Sequence, residues 1–207
     1  MVLGTFIGQL SFGARVLFIG DSQSLDGFAK GLYNTLTSEG HTVFAYSVCA
    51  SGPVTWVRGY GGGCGHNEHW VKTNSGESMP DWTSNLRTLL ASIQPTVLIV
   101  QTGDNIYADL GNFKSLGSQM VAAIQASTVK SCAWITPPFE NAWTSKQEGM
   151  ANIAEAMTSG VCEVYASYQD TQGRSGFGKE HFSESASSVW LSGALPTIRG
   201  AVSRAAK

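Results

Sequence analysis

Four short segments of the sequence contain residue types that together could catalyse acyl transfer. Ser22 and Gly52 each follow an apolar run by a few residues, Asn105 follows another, and His181 lies in the last part of the chain. A serine hydroxyl is a weak nucleophile at neutral pH, and it becomes reactive beside a base such as imidazole, which titrates near that pH. The residue types therefore predict a serine nucleophile and a histidine base, provided that the fold brings them together.

The position of Ser22 favours negative charge, because a helical pattern begins at about Leu25. Backbone N–H groups and the helix dipole stabilise an anion at the amino end of a helix. An oxyanion that forms beside Ser22 would therefore be stabilised where it arises. Serine is also a common helix cap, so this segment by itself fits a structural role equally well.

Five apolar segments have the length of buried strands, and segments with helical spacing or loops follow them. The predicted strands are 15–20, 42–48, 96–101, 131–136 and 162–167, and the predicted helices are 25–38, 81–93, 113–127, 145–158 and 183–203. This alternation predicts a parallel sheet covered on both faces, a three-layer α/β/α sandwich, because parallel strands need crossover connections. Reactive groups in such sheets gather at the carboxyl ends of the strands, where Ser22, Gly52 and Asn105 stand.

This ordered set of residues resembles the SGNH, or GDSL-like, hydrolase family, whose four blocks supply a serine, a glycine, an asparagine and a histidine. Residues 20–22 match the glycine, aspartate and serine of the first block, with Gln23 where leucine is more frequent. Residues 103–105 match the third block, and His181 with the two residues after it matches the last. The resemblance spans residues 16–184 and implies the SGNH fold, with a flavodoxin-like five-stranded parallel sheet.

The same resemblance implies a role for each matching residue. Ser22 would be the nucleophile and His181 the base that deprotonates it. The backbone N–H groups of Ser22 and Gly52 and the side-chain amide of Asn105 would form the oxyanion hole. The scheme needs no cofactor.

The third member of the catalytic triad has no direct match. The family usually places an aspartate three residues before the histidine, and that position is Gly178 in this chain. Asp170 is our first substitute, and a backbone carbonyl that orients the imidazole is the second. Glu180 and Glu184 are further candidates.

The stretch from about residue 49 to 80 is rich in glycine and is predicted to be an irregular insertion. Cys64, His66, Glu68 and His69 include ligand types that zinc accepts, but no second ligand pair follows at finger-like spacing, so we predict no metal site. We expect Trp56, Arg58 and Tyr60 to line a substrate cleft together with Gln23. The alternative is that these rings only cover the edge of the sheet.

The four cysteines permit two disulfides. We predict that Cys49 pairs with Cys64 across the insertion. Cys132 and Cys162 begin the fourth and fifth predicted strands, which should be parallel neighbours, so we predict that they pair as well. Two disulfides would indicate an oxidising compartment, and we therefore expect a periplasmic or secreted protein.

Composition excludes several other classes of function. The 207 residues carry a net charge of −2, and their 13 Lys and Arg are scattered, which argues against a nucleic-acid partner. The apolar runs are far shorter than the roughly 20 residues of a membrane span. Residues 1–12 lack the basic start and cleavage site of a complete secretion signal. We expect a single domain, active as a monomer.

The most specific function that these observations predict is a serine esterase for short acyl groups, such as an O-acetyl esterase of a carbohydrate or the cell envelope. The insertion offers Trp, Tyr, Arg and His for stacking on sugars and no broad aliphatic surface. A lipase or thioesterase with the same residues is one alternative. A catalytically weak carbohydrate-binding or cell-wall-binding protein is another, because of Gly178.

Overall fold

The computed structural model describes residues 13–25, 27–59, 69–106, 109–178 and 182–207. It is a mixed α/β structure, as predicted, with one sheet between two layers of helices. The strands are β1 Arg15–Gly20, β2 Thr42–Val48, β3 His69–Thr73, β4 Val97–Gln101, β5 Ser131–Ile135 and β6 Cys162–Tyr165. The helices are α1 Gly27–Ser38, α2 Pro53–Arg58, α3 Leu86–Ile93, α4 Leu110–Gln125, α5 Thr144–Thr158, α6 Ser167–Thr171 and α7 Glu184–Ala205.

The sheet order is β3-β2-β1-β4-β5-β6, and every neighbouring pair is parallel except β2 with β3. The five parallel strands thus follow the flavodoxin-like order that we predicted. The sheet has six strands rather than the five that we predicted. The additional strand is β3, an antiparallel edge strand within the segment that we predicted to be irregular. Its sequence HWVKT has no apolar run, because the strand lies on the sheet edge and is only partly buried.

Each face of the sheet supports its own core, and alternate residues of a strand enter different cores. Leu17 and Ile19 of β1 belong to the core under α3, α4 and α5. Val16 and Phe18 belong to the core under α1 and α7. The continuous apolar character of the parallel strands follows from this burial on both faces.

Helix α7 packs against α1 on one face of the sheet. The ring of Trp190 lies on that of Phe28 with 4.3 Å between centroids, and its indole N–H donates to Ser167 Oγ at 2.8 Å. At the amino end of α1, Gly27 allows close approach, because a Cβ there would lie 2.5 Å from Ser187 Cβ and 3.0 Å from Glu184 O. The amino ends of α1 and α7 therefore touch.

A disulfide joins Cys132 and Cys162, which face each other in register on the parallel strands β5 and β6. This pairing confirms the prediction. The pairing of Cys49 with Cys64 stays a prediction, because Cys64 lies outside the described residues. In the part of the chain that the structure covers, no helix is both long and apolar enough to cross a membrane.

We expect the variant Cys132→Ala/Cys162→Ala to unfold more easily than the parent protein. The bond closes a loop with a sequence separation of 30. A loop of that size is worth about 3 to 4 kcal/mol of unfolding free energy in the chain-entropy account. Urea unfolding under non-reducing conditions measures the difference, and a loss below about 1 kcal/mol would contradict this account of the bond.

Candidate active site

Three of the four predicted reactive segments, those of Ser22, Gly52 and Asn105, lie at the carboxyl edge of the sheet, beside its topological switch point. From β1 the chain continues to β2 on one side, and β4 pairs with β1 on the other side. Ligands of open α/β sheets bind where the strand order reverses in this way. Ser22 follows β1 and Asn105 follows β4, so the structure places both at the switch point.

Ser22 begins a short 3₁₀ helix, Ser22–Ser24, directly after β1. The carboxylate of Asp21 caps this turn and accepts a hydrogen bond from the Gln23 N–H at 3.0 Å. The Asp21 N–H donates to Gln101 Oε1 on β4 at 3.1 Å. Ser22 itself is 8% exposed. The turn is therefore tied to the neighbouring strand, and the serine at its start has limited freedom.

Two buried serine hydroxyls, those of Ser24 and Ser47, hold this turn in place. Ser24 Oγ lies 2.8 Å from the Asp21 carbonyl oxygen and 2.6 Å from the hydroxyl of Ser47 on β2. Ser47 Oγ lies 3.1 Å from the same carbonyl. These contacts hold the backbone on both sides of Ser22 against β2.

The structure brings Gly52 and Asn105 together beside β1. Ser51 Oγ donates to the Gly20 carbonyl at 3.2 Å, and the Asn105 side-chain amide donates to the Ser51 carbonyl at 2.8 Å. A Cβ on Gly52 would lie 4.0 Å from Asn105 Cβ. An Asn amide has two N–H groups, and this contact uses one of them. The Gly52 N–H donates to Thr55 Oγ1 at 3.2 Å.

Gln23 is only 4% exposed, and its Oε1 has no hydrogen-bond partner among the described residues. A buried acceptor without a partner is costly. The side chain lies one residue from the predicted nucleophile. The assignment of Gln23 to substrate binding stays a prediction.

The prediction that Trp56 lines a substrate cleft is wrong. Its side chain is fully buried in the core under α3, α4 and α5, because Gly52 and Pro53 start the short helix α2 and turn the ring inward. Arg58 at the end of α2 is exposed, and Tyr60 lies outside the described residues. The assignment of Arg58 and Tyr60 to substrate binding stays a prediction.

A stacked pair of rings, which we did not predict from the sequence, lies near the same edge of the sheet. The rings of His69 and Trp82 stack with 4.6 Å between centroids and 15° between planes. His69 pairs with Val48 at the carboxyl end of β2. Both side chains are half-buried. The pair could not be recognised from the sequence, because Trp82 lies 13 positions after His69 and beyond the end of the edge strand β3.

Among the described residues, no three His, Cys, Asp or Glu side chains form a group that could hold a metal. Cys64, His66 and Glu68 lie outside those residues.

Asp170 lies in α6, after the edge strand β6. Its Oδ2 accepts a hydrogen bond from the Tyr165 hydroxyl at 2.6 Å, and its Oδ1 pairs with Arg174 at 2.5 Å. Burial, and then the hydrogen bond to Asp170, raise the pKa of Tyr165. Both oxygens of Asp170 thus have partners other than a histidine. The preceding strand, β6, also lies three strand spacings, about 14 Å, from β1.

His181, Lys179 and Glu180 lie outside the described residues. The residues on both sides of them are described. Gly178 forms a parallel bridge with Glu140, and Phe182 packs its ring against Phe177 with 4.9 Å between centroids. Helix α7 begins with Ser183 as its cap, and its first turn touches Gly27 of α1. Helix α7, which follows these residues in sequence, therefore begins beside the amino end of α1.

Comparisons with known proteins show the same fold in solved structures. TesA is 15% identical with a TM-score of 0.64, and the match covers 89% of this chain and 98% of that one. The psychrotrophic esterase EstA from Pseudoalteromonas sp., in a structure inhibited by monoethylphosphonate, is 13% identical with a TM-score of 0.60 over 90% of this chain and 97% of that one. A catalytic mutant of Axe2, an acetylxylan esterase from Geobacillus stearothermophilus, is 13% identical with a TM-score of 0.57 over 90% and 94%. No protein-family model and no curated protein matches the chain.

We expect Gln23→Leu to stabilise the protein by about 1 kcal/mol, because it replaces a buried, unpaired acceptor by an apolar side chain of similar size. Denaturant unfolding measures the change. Gln101→Leu is the matched control: it also removes an unpaired nitrogen, but it leaves the buried Asp21 N–H without its acceptor, so no gain is expected. Destabilisation by Gln23→Leu would show that the Gln23 oxygen has a partner.

Proposed function

Because this chain has the fold of the SGNH-type hydrolases, we propose that it is a serine esterase with Ser22 as the nucleophile and His181 as the general base. The contact between the amino ends of α1 and α7 is the observation that carries this proposal. Ser22 precedes Gly27 by five residues, and His181 precedes Glu184 by three. Gly27 and Glu184 touch, so only short segments separate the two side chains from a shared contact.

The reaction is acyl transfer to water in two steps. Ser22 Oγ attacks the ester carbonyl while its proton passes to the imidazole of His181, and the C–O bond to the alcohol then breaks as His181 returns that proton to the leaving oxygen. A water molecule attacks the acyl-enzyme with the same base. The acid leaves, and the Ser22 hydroxyl is restored.

The oxyanion would be held at the switch point. Its donors are the N–H groups of Ser22 and Gly52 and one N–H of the Asn105 amide. The proximity of Gly52 to Asn105 supports this set. The bond between the Gly52 N–H and Thr55 Oγ1 is long, so the oxyanion can compete for that donor. Donors fixed before the reaction stabilise the developing charge most effectively.

We propose that the enzyme removes a short acyl group, such as acetyl. Among the described residues, the exposed large hydrophobic side chains are Val54 and Val189, which do not form a broad aliphatic surface. A lipase for long chains needs such a surface. A thioesterase or lipase remains the alternative within the same chemistry.

We propose a carbohydrate as the carrier of that acyl group, and the stacked rings of His69 and Trp82 support it. His69 is one residue beyond the row in which Trp70, Ser47 and Gly20 lie in register. Two strand spacings, about 10 Å, thus separate the pair from the turn that holds Ser22. That distance suits a sugar bound next to the reacting ester. The disulfide between Cys132 and Cys162 supports a periplasmic or secreted location.

The wild-type protein should be labelled by a fluorophosphonate, because such a probe reacts with an activated serine. Intact mass should show one adduct, and peptide mapping should place it on Ser22. Ser22→Ala should remain unlabelled, whereas Ser51→Ala, which changes a neighbouring buried serine, should still react. An unlabelled wild-type protein that retains binding to glycans would instead favour a carbohydrate-binding protein on this scaffold.

Trp82→Ala should reduce kcat/KM on an acetylated xylo-oligosaccharide by about tenfold, the value of one aromatic stacking contact. Hydrolysis of nitrophenyl acetate, which has no sugar, should change by less than about twofold. Trp70→Ala is the matched control. The ring of Trp70 packs edge-on against Tyr33 instead of joining the stacked pair, so its loss should affect the two substrates equally. Equal losses on both substrates would rule out a sugar contact at Trp82.

A further inference from the structure

We propose that the hydroxyls of Ser24 and Ser47 strengthen the oxyanion hole by polarising the peptide group whose N–H belongs to Ser22. This inference rests on the proposed function, because it requires the Ser22 N–H to bind the oxyanion. The two hydroxyls act through the backbone and do not touch the substrate, so Ser24 and Ser47 are positioning residues rather than catalytic ones.

The peptide between Asp21 and Ser22 carries both the carbonyl that the hydroxyls bind and the N–H that the oxyanion would use. A trans peptide is planar, and its C=O and N–H point in opposite directions. The Asp21 carbonyl faces the two hydroxyls, with Ser24 Oγ at 2.8 Å and Ser47 Oγ at 3.1 Å. The Ser22 N–H therefore points away from them, and among the described residues it donates to no protein group.

The preceding peptide, between Gly20 and Asp21, has partners for both of its polar groups. Its carbonyl accepts from Ser51 Oγ at 3.2 Å, and its N–H donates to Gln101 Oε1 at 3.1 Å. Three of the four polar groups on these two consecutive peptides are thus bound within the protein. The fourth is the Ser22 N–H, which is the donor that a substrate oxygen can take.

The two hydroxyls form a chain and do not act separately. Ser24 Oγ and Ser47 Oγ lie 2.6 Å apart, and each also lies within hydrogen-bonding distance of the Asp21 carbonyl. Each hydroxyl has one proton to donate, and a separation of 2.6 Å places one proton between the two oxygens. The hydroxyl that donates to the carbonyl therefore accepts from the other one, and that second bond makes it a stronger donor.

This chain of hydroxyls is closed to solvent. Asp21, Ser24 and Ser47 are each 0% exposed, and hydrogen bonds polarise one another strongly in such a low-dielectric site. Gly20 makes room for the chain, because a Cβ there would overlap Ser24 Oγ. A polarised carbonyl draws electron density from the peptide nitrogen, so the Ser22 N–H becomes a better donor to an anion.

The test compares Ser24→Ala, Ser47→Ala and the double variant, with nitrophenyl acetate as the substrate. In each single variant the remaining hydroxyl still reaches the Asp21 carbonyl, so kcat should fall by less than about twofold. In the double variant no hydroxyl remains, and kcat should fall by about tenfold at unchanged KM, less than the hundredfold or more that loss of a whole donor costs. The loss in the double variant should therefore exceed the product of the single losses.

Inhibition by a trifluoromethyl ketone separates this role from a purely structural one. Ser22 Oγ adds to the ketone carbon, its proton passes to the general base, and the ketone oxygen becomes an oxyanion in the same hole. The Ki should rise in the double variant by the same factor as kcat falls, because both depend on the oxyanion. A role in folding alone would reduce the amount of active enzyme and leave Ki unchanged.

Nuclear magnetic resonance tests the polarisation without activity. A hydrogen bond to a carbonyl deshields its carbon and the nitrogen of the same peptide, so the Asp21 ¹³C′ and Ser22 ¹⁵N resonances should move upfield in the double variant. Ser51→Ala is the control for this measurement. It removes the same kind of contact from the Gly20 carbonyl and should move the Gly20 ¹³C′ resonance instead.

Thr158→Val is the matched control for activity. It removes a buried hydroxyl that donates to the Ala154 carbonyl at 2.7 Å, at the carboxyl end of α5. The values of kcat and Ki should stay those of the wild type.

Each result supports or overturns the role of the two hydroxyls. A wild type that is active and labelled by a fluorophosphonate, with a double variant that keeps full kcat and Ki, overturns the role and leaves the esterase proposal intact. Losses that simply multiply, or Asp21 and Ser22 resonances that stay in place while activity falls, overturn it as well. A wild type that is neither labelled nor active overturns the esterase proposal, and this role with it.

Discussion

The packing of α7 against α1 is the interaction on which the candidate site depends. The two helices come from opposite ends of the chain, yet Trp190 lies on Phe28 and anchors itself to Ser167 through its indole N–H. Gly27 lets the backbones meet at their amino ends. Because Ser22 precedes one helix and His181 precedes the other in sequence, this contact supports the proposal that the two residues act together. In this proposal, apolar packing between two helices brings the catalytic residues together.

The parallel sheet supplies the second constraint. The row of residues at its carboxyl edge is fixed by register, from Ser47 through Gly20 and Gln101 to Ile135. Side chains that follow these strands must emerge at the same edge, and the switch point between β1 and β4 leaves a crevice there. The hydrogen bonds of Asp21, Ser24 and Ser51 then stiffen the loops next to Ser22. A rigid edge of this kind suits a reaction that depends on donors placed in advance.

The apolar runs were sufficient to predict the buried strands. Strands β1 and β2 have the predicted bounds, since a strand buried on both faces must be apolar throughout. Strand β3 could not be recognised in this way, because an edge strand that is half-buried has no such signature. Trp56 was misjudged because periodicity does not show which way a ring turns after a Gly-Pro start. The absence of an aspartate at position 178 agrees with the backbone there, because Gly178 has a φ of +100° and forms a bridge with Glu140, a contact that sequence spacing does not reveal.

The most direct measurement is the distance between His181 Nε2 and Ser22 Oγ in a crystal structure. The account predicts a hydrogen bond of about 2.6 to 3.2 Å, or slightly longer without substrate. An imidazole ordered on another surface of the molecule, with its backbone fixed there, would contradict it.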